Sequence, residues 1–185
     1  MEWIILVLVL VVVGWLVLVY NRLVALRQAC GQAWSDVEVQ LKQRHDLIPN
    51  LVETVKGYAA HEKETLERVI AARNAAVAAH TPEEASRAEG ALTGMLRQVF
   101  ALSEAYPDLK ANQNFLRLQA ELSDIENKIA AARRFFNSAV AEFNSAIQQI
   151  PAVFFAGSLG FTPRAFFELT DEQRAAVQSA PQVKF

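Results

Sequence analysis

Few residues in this chain could do chemistry: it has three histidines, one cysteine and 20 acidic side chains among 185 residues. His61-Glu62-Lys63-Glu64-Thr65 begins like the H-E-x-x-H of zinc proteases. That motif works because one helical turn brings two imidazoles onto one zinc. Thr65 stands where the second ligand must be, so the match fails. A di-iron bundle requires Glu-x-x-His on each of two helices. Three positions before His45, His61 and His80 stand Lys42, Tyr58 and Val77, so that fails too. There is no Gly-rich phosphate loop and no G-x-S-x-G elbow. A single cysteine excludes a disulfide framework or a zinc-ribbon site within the chain. Cys30 falls on an apolar helical stripe and reads as a small buried hydrophobe rather than a nucleophile, with palmitoylation as the lesser alternative. His45, Asp46, His61 and Glu62 remain as conceivable ligands, and nothing in their spacing makes them converge. The reading is therefore of no catalytic residues, no cofactor and no metal. A metal-binding helical-bundle enzyme is the rival that stoichiometric zinc or iron would establish.

The elements that would position such residues are all helical. Residues 3–20 read WIILVLVLVVVGWLVLVY, in which only Gly14 interrupts the apolar run. As a helix this spans about 27 Å, close to the hydrocarbon thickness of a bilayer. Trp3 and Tyr20 bracket it where amphipathic rings favour the headgroup level. A cleaved signal peptide needs a basic n-region and a small-x-small cleavage site, and neither is present. The segment reads as an uncleaved anchor with no GxxxG seam. Arg22 and Arg27 lie just after it and no basic residue precedes it, so the positive-inside rule puts the N-terminus outside and the bulk of the chain in the cytoplasm. The formal net charge of −2 shows no basic excess and so excludes a nucleic-acid partner.

Beyond the anchor, apolar residues recur every three or four positions through residues 21–79, with interruptions around His45 and Glu62. Pro49 lies inside this pattern. The stripe keeps its phase across it, which predicts one kinked helix over 21–79 rather than a reversal. His45 or Asp46 would then cap the backbone freed at the kink. Thr81-Pro82-Glu83-Glu84 is a capping box with proline at the first helical position. It predicts a helix from 82 to about 103 that buries Ala85, Leu92, Leu96 and Val99. After Tyr106-Pro107-Asp108 turns the chain, a heptad stripe runs from Phe115 through Leu118, Leu122, Ile125, Ile129, Ala132, Phe136, Ala139, Phe143 and Ala146 to Ile150. Asn112 should cap this helix and Pro151 stop it. Arg133, Arg134, Asn137 and Asn144 lie beside the stripe and read as solvent-facing, or else as a polar row turned toward a partner. The last segment, 152–185, holds six of the eleven phenylalanines. It reads as packing its rings onto the bundle, or else as a membrane-surface or partner-binding segment. A short helix could open at Thr170-Asp171-Glu172-Gln173.

The fold class that results is all-α. A transmembrane helix over residues 1–20 leads into an antiparallel bundle of long helices over 21–151, and a short irregular Phe-rich tail over 152–185 ends the chain. If 21–79 is one helix, Leu23, Leu26, Trp34, Val37 and Leu41 lack cover from the bundle. Either the tail or a second copy must then cover them, and the heptad-like spacing suggests a homo-oligomer.

Two stretches of sequence carry a resemblance. Residues 41–52, LKQRHDLIPNLV, with Val55-Lys56-Gly57-Tyr58 and His61-Glu62, look like the first signature of the LemA family. Residues 104–112, EAYPDLKAN, with Asn114-Phe115, Leu122, Ile125-Glu126 and residues 132–137, ARRFFN, resemble the second. Asn144 and the Ile150-Pro151 stop also fit. Gln43 and Phe136 depart from the pattern, where a basic residue and a tyrosine are expected. The resemblance covers nearly all of residues 1–151. It implies a bacterial single-pass protein of the cytoplasmic (inner) membrane, with a helical bundle and no established catalysis. Its motif positions here are His45, Asp46, Pro49, Asn50, Tyr106, Pro107, Asp108, Lys110, Asn112, Arg133, Asn137 and Asn144, for which a structural or partner-facing role is expected. It also implies loose links to membrane-bound metalloproteases and to building intracellular membrane compartments. The function expected is a self-associating membrane scaffold whose partners are lipid, further copies and another membrane protein. The alternative is an accessory subunit of a membrane metalloprotease.

Overall fold

The computed structural model describes residues 1–168; the short helix expected from Thr170 lies outside them. Within these residues the chain is all-α. It runs through helices α1 (Glu2–Lys56), α2 (Lys63–Val77), α3 (Pro82–Ser103), α4 (Pro107–Lys110) and α5 (Gln113–Gln148), and a 3-10 turn, Ala152–Phe154, comes after α5. Two compact units form. The first comprises Met1–Val37 and Ala132–Ala165; the second comprises Glu38–Ala131 with residues 166–168.

α1 continues through the Pro49 position, so the chain does not reverse there. It stops at Lys56, however, and a turn over 57–62 leads into the separate helix α2. The single helix expected over 21–79 is thus two. Gly57 is a poor helix former, and beyond it the ladder closes into a turn through Tyr58 N–H to Val55 O and Ala59 N–H to the same carbonyl. Proline lacks the N–H that would bond the carbonyl four residues back, which here is His45. Arg73 of α2 supplies the missing donor, its Nε lying 3.3 Å from His45 O.

The first unit buries Leu23, Cys30, Ala33 and Val37 of α1, and Phe136, Val140, Phe143 and Ile147 of α5. Trp34 meets Phe136 at 5.2 Å between ring centroids. Phe161 from the tail sits edge-on to Tyr20 at 5.6 Å and tilted on Phe143 at 6.5 Å, and the Arg27 guanidinium lies over its face at 5.1 Å. Leu23, Val37 and Leu41 are buried, and Leu26 and Trp34 are half-buried. The chain itself thus covers these residues wholly or in part. The stripe of α5 also differs from its strict heptad reading: Val140 is buried where Ala139 is only half-buried. A 3.6-residue turn drifts against a 3.5-residue repeat. Ile150 is 77% exposed because α5 ends before reaching it.

The second unit packs Ile48, Leu51 and Val55 of α1 with Leu66 and Val69 of α2, Leu92, Leu96 and Val99 of α3, Leu109 of α4, and Phe115 and Leu122 of α5. The capping box forms as its residues dictate. Glu84 N–H donates to Thr81 Oγ1 at 3.2 Å, and Thr81 N–H to Glu84 Oε2 at 3.3 Å. The His80 and Thr81 N–H groups, both donating to the Glu84 carboxylate, hold it below the usual range. The tail residue Phe167 is buried, and Ser86 donates to the Glu168 carbonyl at 2.6 Å.

Candidate functional site

The stripe of α3 reads Ala85, Glu89, Leu92, Leu96, Val99, with a carboxylate at a core position. On α1 the corresponding gap between Leu41 and Ile48 is filled by Arg44 and His45. All three polar residues are buried, Arg44 at 3% and Glu89 at 6% exposure. His45 Nε2 donates to Glu89 Oε1 at 2.5 Å. Arg44 Nη1 reaches Glu89 Oε2 at 3.2 Å and Glu126 Oε2 of α5 at 3.3 Å, while Nη2 donates to Thr93 Oγ1 at 2.6 Å. Each buried ion carries a desolvation cost of several kcal/mol, which only complete pairing offsets. Here both oxygens of Glu89 are engaged by side chains of α1, so the group behaves as a polar pin joining α1, α3 and α5. A cleft of about 340 Å³ opens beside it, lined among others by Arg44, Arg97, Phe100, Gln119 and Glu126.

A second junction ties the loops together. Asn112 Oδ1 accepts the Phe115 N–H at 3.0 Å, capping α5 as its position in the sequence predicts. That fixes the amide, and its Nδ2 donates to Tyr58 OH at 2.8 Å. Tyr106 OH donates to Glu62 Oε1 at 3.3 Å. Loss of water around the ring and the Glu62 charge both push the Tyr106 hydroxyl up from its ordinary value. Lys110 pairs with Glu104 at 2.5 Å, and Pro107 opens α4 with Asp108 exposed in its first turn. The two motif-bearing stretches of sequence thus meet through Tyr58 with Asn112, Glu62 with Tyr106, and Arg44 with Glu126.

The remaining candidates are placed differently from expectation. Neither His45 nor Asp46 caps the backbone at Pro49; His45 turns to Glu89, and Arg73 does the capping. Asp46 lies at the surface against Lys42 at 2.5 Å, a hydrogen bond that holds its carboxyl below the usual range. Pro49 and Asn50 are exposed, and the Asn50 carbonyl accepts Thr54 Oγ1–H at 2.8 Å. In the first unit, half-buried Asn144 is engaged within the chain. Its Nδ2 donates to Arg164 O and its Oδ1 accepts Arg164 N–H, both at 2.8 Å, so it holds the tail as a strand edge would. Arg133 and Asn137 are half-buried and engaged. Cys30 is fully buried, which pushes its thiol up toward the inert form. Among the described residues no three His, Cys, Asp or Glu side chains are grouped as metal ligands.

Sequence reasoning missed Arg73, Glu89 and Thr93, and placed Arg44 and Glu126 only within the signature stretches, without a role. One signal was available: Glu89 occupies a heptad core position, and a buried carboxylate requires a partner at the equivalent gap of a neighbouring stripe.

The family model described as LemA family matches residues 33–185. Among curated proteins, the Protein LemA of Metamycoplasma hominis is 27% identical over 164 residues, covering 86% of this chain and 74% of its own length. The magnetosome protein MamQ of Magnetospirillum gryphiswaldense is 25% identical over 174 residues, and MamQ 2 of Paramagnetospirillum magneticum 22% over 175. Each match covers 80% of this chain, which spans 64% of the length of these two relatives.

Proposed function

The chain belongs to the LemA family, and on that premise we propose that it is a membrane-anchored helical scaffold that self-associates and has no catalytic activity of its own. One observation carries the reading. The polar side chains best suited to chemistry, His45, Glu89, Arg44 and Glu62, are committed to one another or to loop residues, leaving helix surfaces as the means of action. The apolar start of α1 is exposed over residues 1–18, which supports membrane attachment. Arg22 and Arg27 favour a cytoplasmic placement of the residues beyond the span.

Light scattering of the full-length protein in detergent, with metal content measured on the same sample, tests this. The expected result is a particle of more than one chain without stoichiometric zinc or iron. A monomer carrying one equivalent of either metal would overturn it.

A further inference from the structure

We propose that the turn after α5, residues 149–160, is a second membrane contact, dipping into the bilayer interface beside α1. The proposal rests on α1 being the membrane span and adds to it a contact from the other end of the chain.

Composition points to it first. Residues 143–163 hold 21 consecutive positions without a Lys, Arg, Asp or Glu, in a chain that is 21% charged. Burial within the protein does not account for this. Phe143, Ile147 and Phe161 are buried, but Phe154 is 78% exposed, and Ile150, Val153 and Leu159 are also exposed, so the large apolar residues of the turn itself face away from the chain.

Position points to it next. A small cavity of about 180 Å³ is lined by Trp15, Val19, Arg22 and Leu23 of α1 together with Ile150 and Pro151. Trp15 and Val19 belong to the apolar span that ends at Tyr20. The turn therefore lies alongside the last residues of the span, reaching about 7 Å below Tyr20 at 1.5 Å per residue. Interfacial elements bury their apolar face about 5–10 Å deep. Phe161 rests on Tyr20 and Arg27, the aromatic and the cation that mark the headgroup level.

The backbone points the same way. Irregular chain enters the edge of a bilayer only if its polar groups are satisfied within the protein. Here Val153 N–H bonds Gln149 O, Phe154 N–H bonds Pro151 O, Ala156 N–H bonds Ala152 O, Leu159 N–H bonds Phe155 O, Gly160 N–H bonds Gly157 O, and Phe161 N–H closes onto Ala156 O at 2.9 Å. Ser158 Oγ–H donates to Phe155 O at 2.8 Å. Gly160, at φ +76°, makes the closing bend that other residues resist. Most of the turn's backbone donors are thus satisfied within it, and it exposes the Phe154 ring and three aliphatic side chains to whatever surrounds the end of the span.

Full-length protein in a Cys30→Ala background, carrying Phe154→Cys or Leu159→Cys labelled with an environment-sensitive dye, tests this in vesicles of phosphatidylcholine and phosphatidylglycerol at 3:1. Ser138→Cys, exposed on α5 some 15 Å before its end, serves as the reference. The expected result is that lipids brominated near the headgroup quench the dye at 154 and 159 at least threefold more than at 138. Equal quenching at all three positions would overturn the proposal. Shielding of 154 and 159 from aqueous iodide without quenching by bromolipid would also overturn it, by identifying a second copy as the cover. Protein that fails to float with the vesicles would remove the span and the turn together.

Discussion

Both units have apolar cores, but ring contacts and the Asn144 amide stand out in the first, whereas the second also buries an ionic group. Between residues 1–37 and 132–165 the contacts include Trp34 on Phe136, Phe161 on Tyr20 and Phe143, and the Asn144 clamp on Arg164. Between residues 38 and 131, Arg44, His45 and Glu89 are buried together and closed by Thr93 and Glu126. Apolar packing loses stability roughly in proportion to what is removed, because each contact stands nearly alone. A buried ionic group gains little net stability when complete and loses heavily when one member goes, because the others are left without partners. The two units should therefore fail in different ways.

The largest effect should be common to both. Leu122→Asp in the second unit and Val140→Asp in the first each bury an unpaired charge and empty an apolar site, costing on the order of 5 kcal/mol or more. Gln119→Ala and Lys128→Ala, off the stripe, should stay within about 0.5 kcal/mol. Thermal unfolding in detergent by circular dichroism reads all four, and similar melting temperatures for the two classes would mean that the buried face is misassigned. The next effect separates the units. Glu89→Ala should cost about 3–5 kcal/mol by stranding Arg44 and His45, and replacing all three with Met, Leu and Leu should recover much of that. If the triple variant is as unstable as the single one, the three do not act as a group. Asn144→Ala, the polar counterpart in the first unit, removes two hydrogen bonds to one residue and should cost only about 1–3 kcal/mol. A protease should then cleave the tail faster, with little change in the main transition.

Smaller effects probe the helix ends. Thr81→Ala should cost about 1 kcal/mol. Because Glu84 has its acidity range lowered by the same cap, its contribution is present above the unfolded carboxylate range and is lost as pH falls through the folded one. Glu84→Gln should therefore flatten the acid limb of the stability profile, and a limb of unchanged slope would show that other carboxylates dominate it.

Where local chemistry decides the structure, the sequence is legible. The Thr81–Glu84 box set the start of α3, Asn112 capped α5, and the apolar stripe of α5 identified Phe115, Leu122 and Phe136 as core. Helix continuity was less legible. Pro49, the stronger helix breaker by type, is tolerated because Arg73, 28 positions from His45 in sequence, lies within reach of the His45 carbonyl in space; Gly57, the milder one, ends the helix. The candidate site was legible only in outline. Its motif positions were identified, but Glu89 and Arg44 were hidden because single-sequence periodicity scores a charged residue as surface. Only the pairing of two helices makes that charge a core residue. Tyr58 with Asn112 was hidden for the same reason, being a contact between loops far apart in sequence.

The Pro49 region also sets a timetable for biosynthesis. The apolar start of α1 needs nothing downstream to complete its hydrogen bonds, so it is ready to partition as soon as it leaves the ribosome. The stretch from Arg44 to Pro49 is not ready, since His45 O awaits Arg73 and the His45 ring awaits Glu89. At roughly 5–20 residues per second, translation reaches those partners several seconds after the apolar segment is made. A nascent chain whose apolar segment inserts as proposed is thus committed to the bilayer before it can fold, and it carries a helix with an open rung during that interval. Delivery to the membrane and protection of the growing chain are in this protein successive problems, separated by one proline.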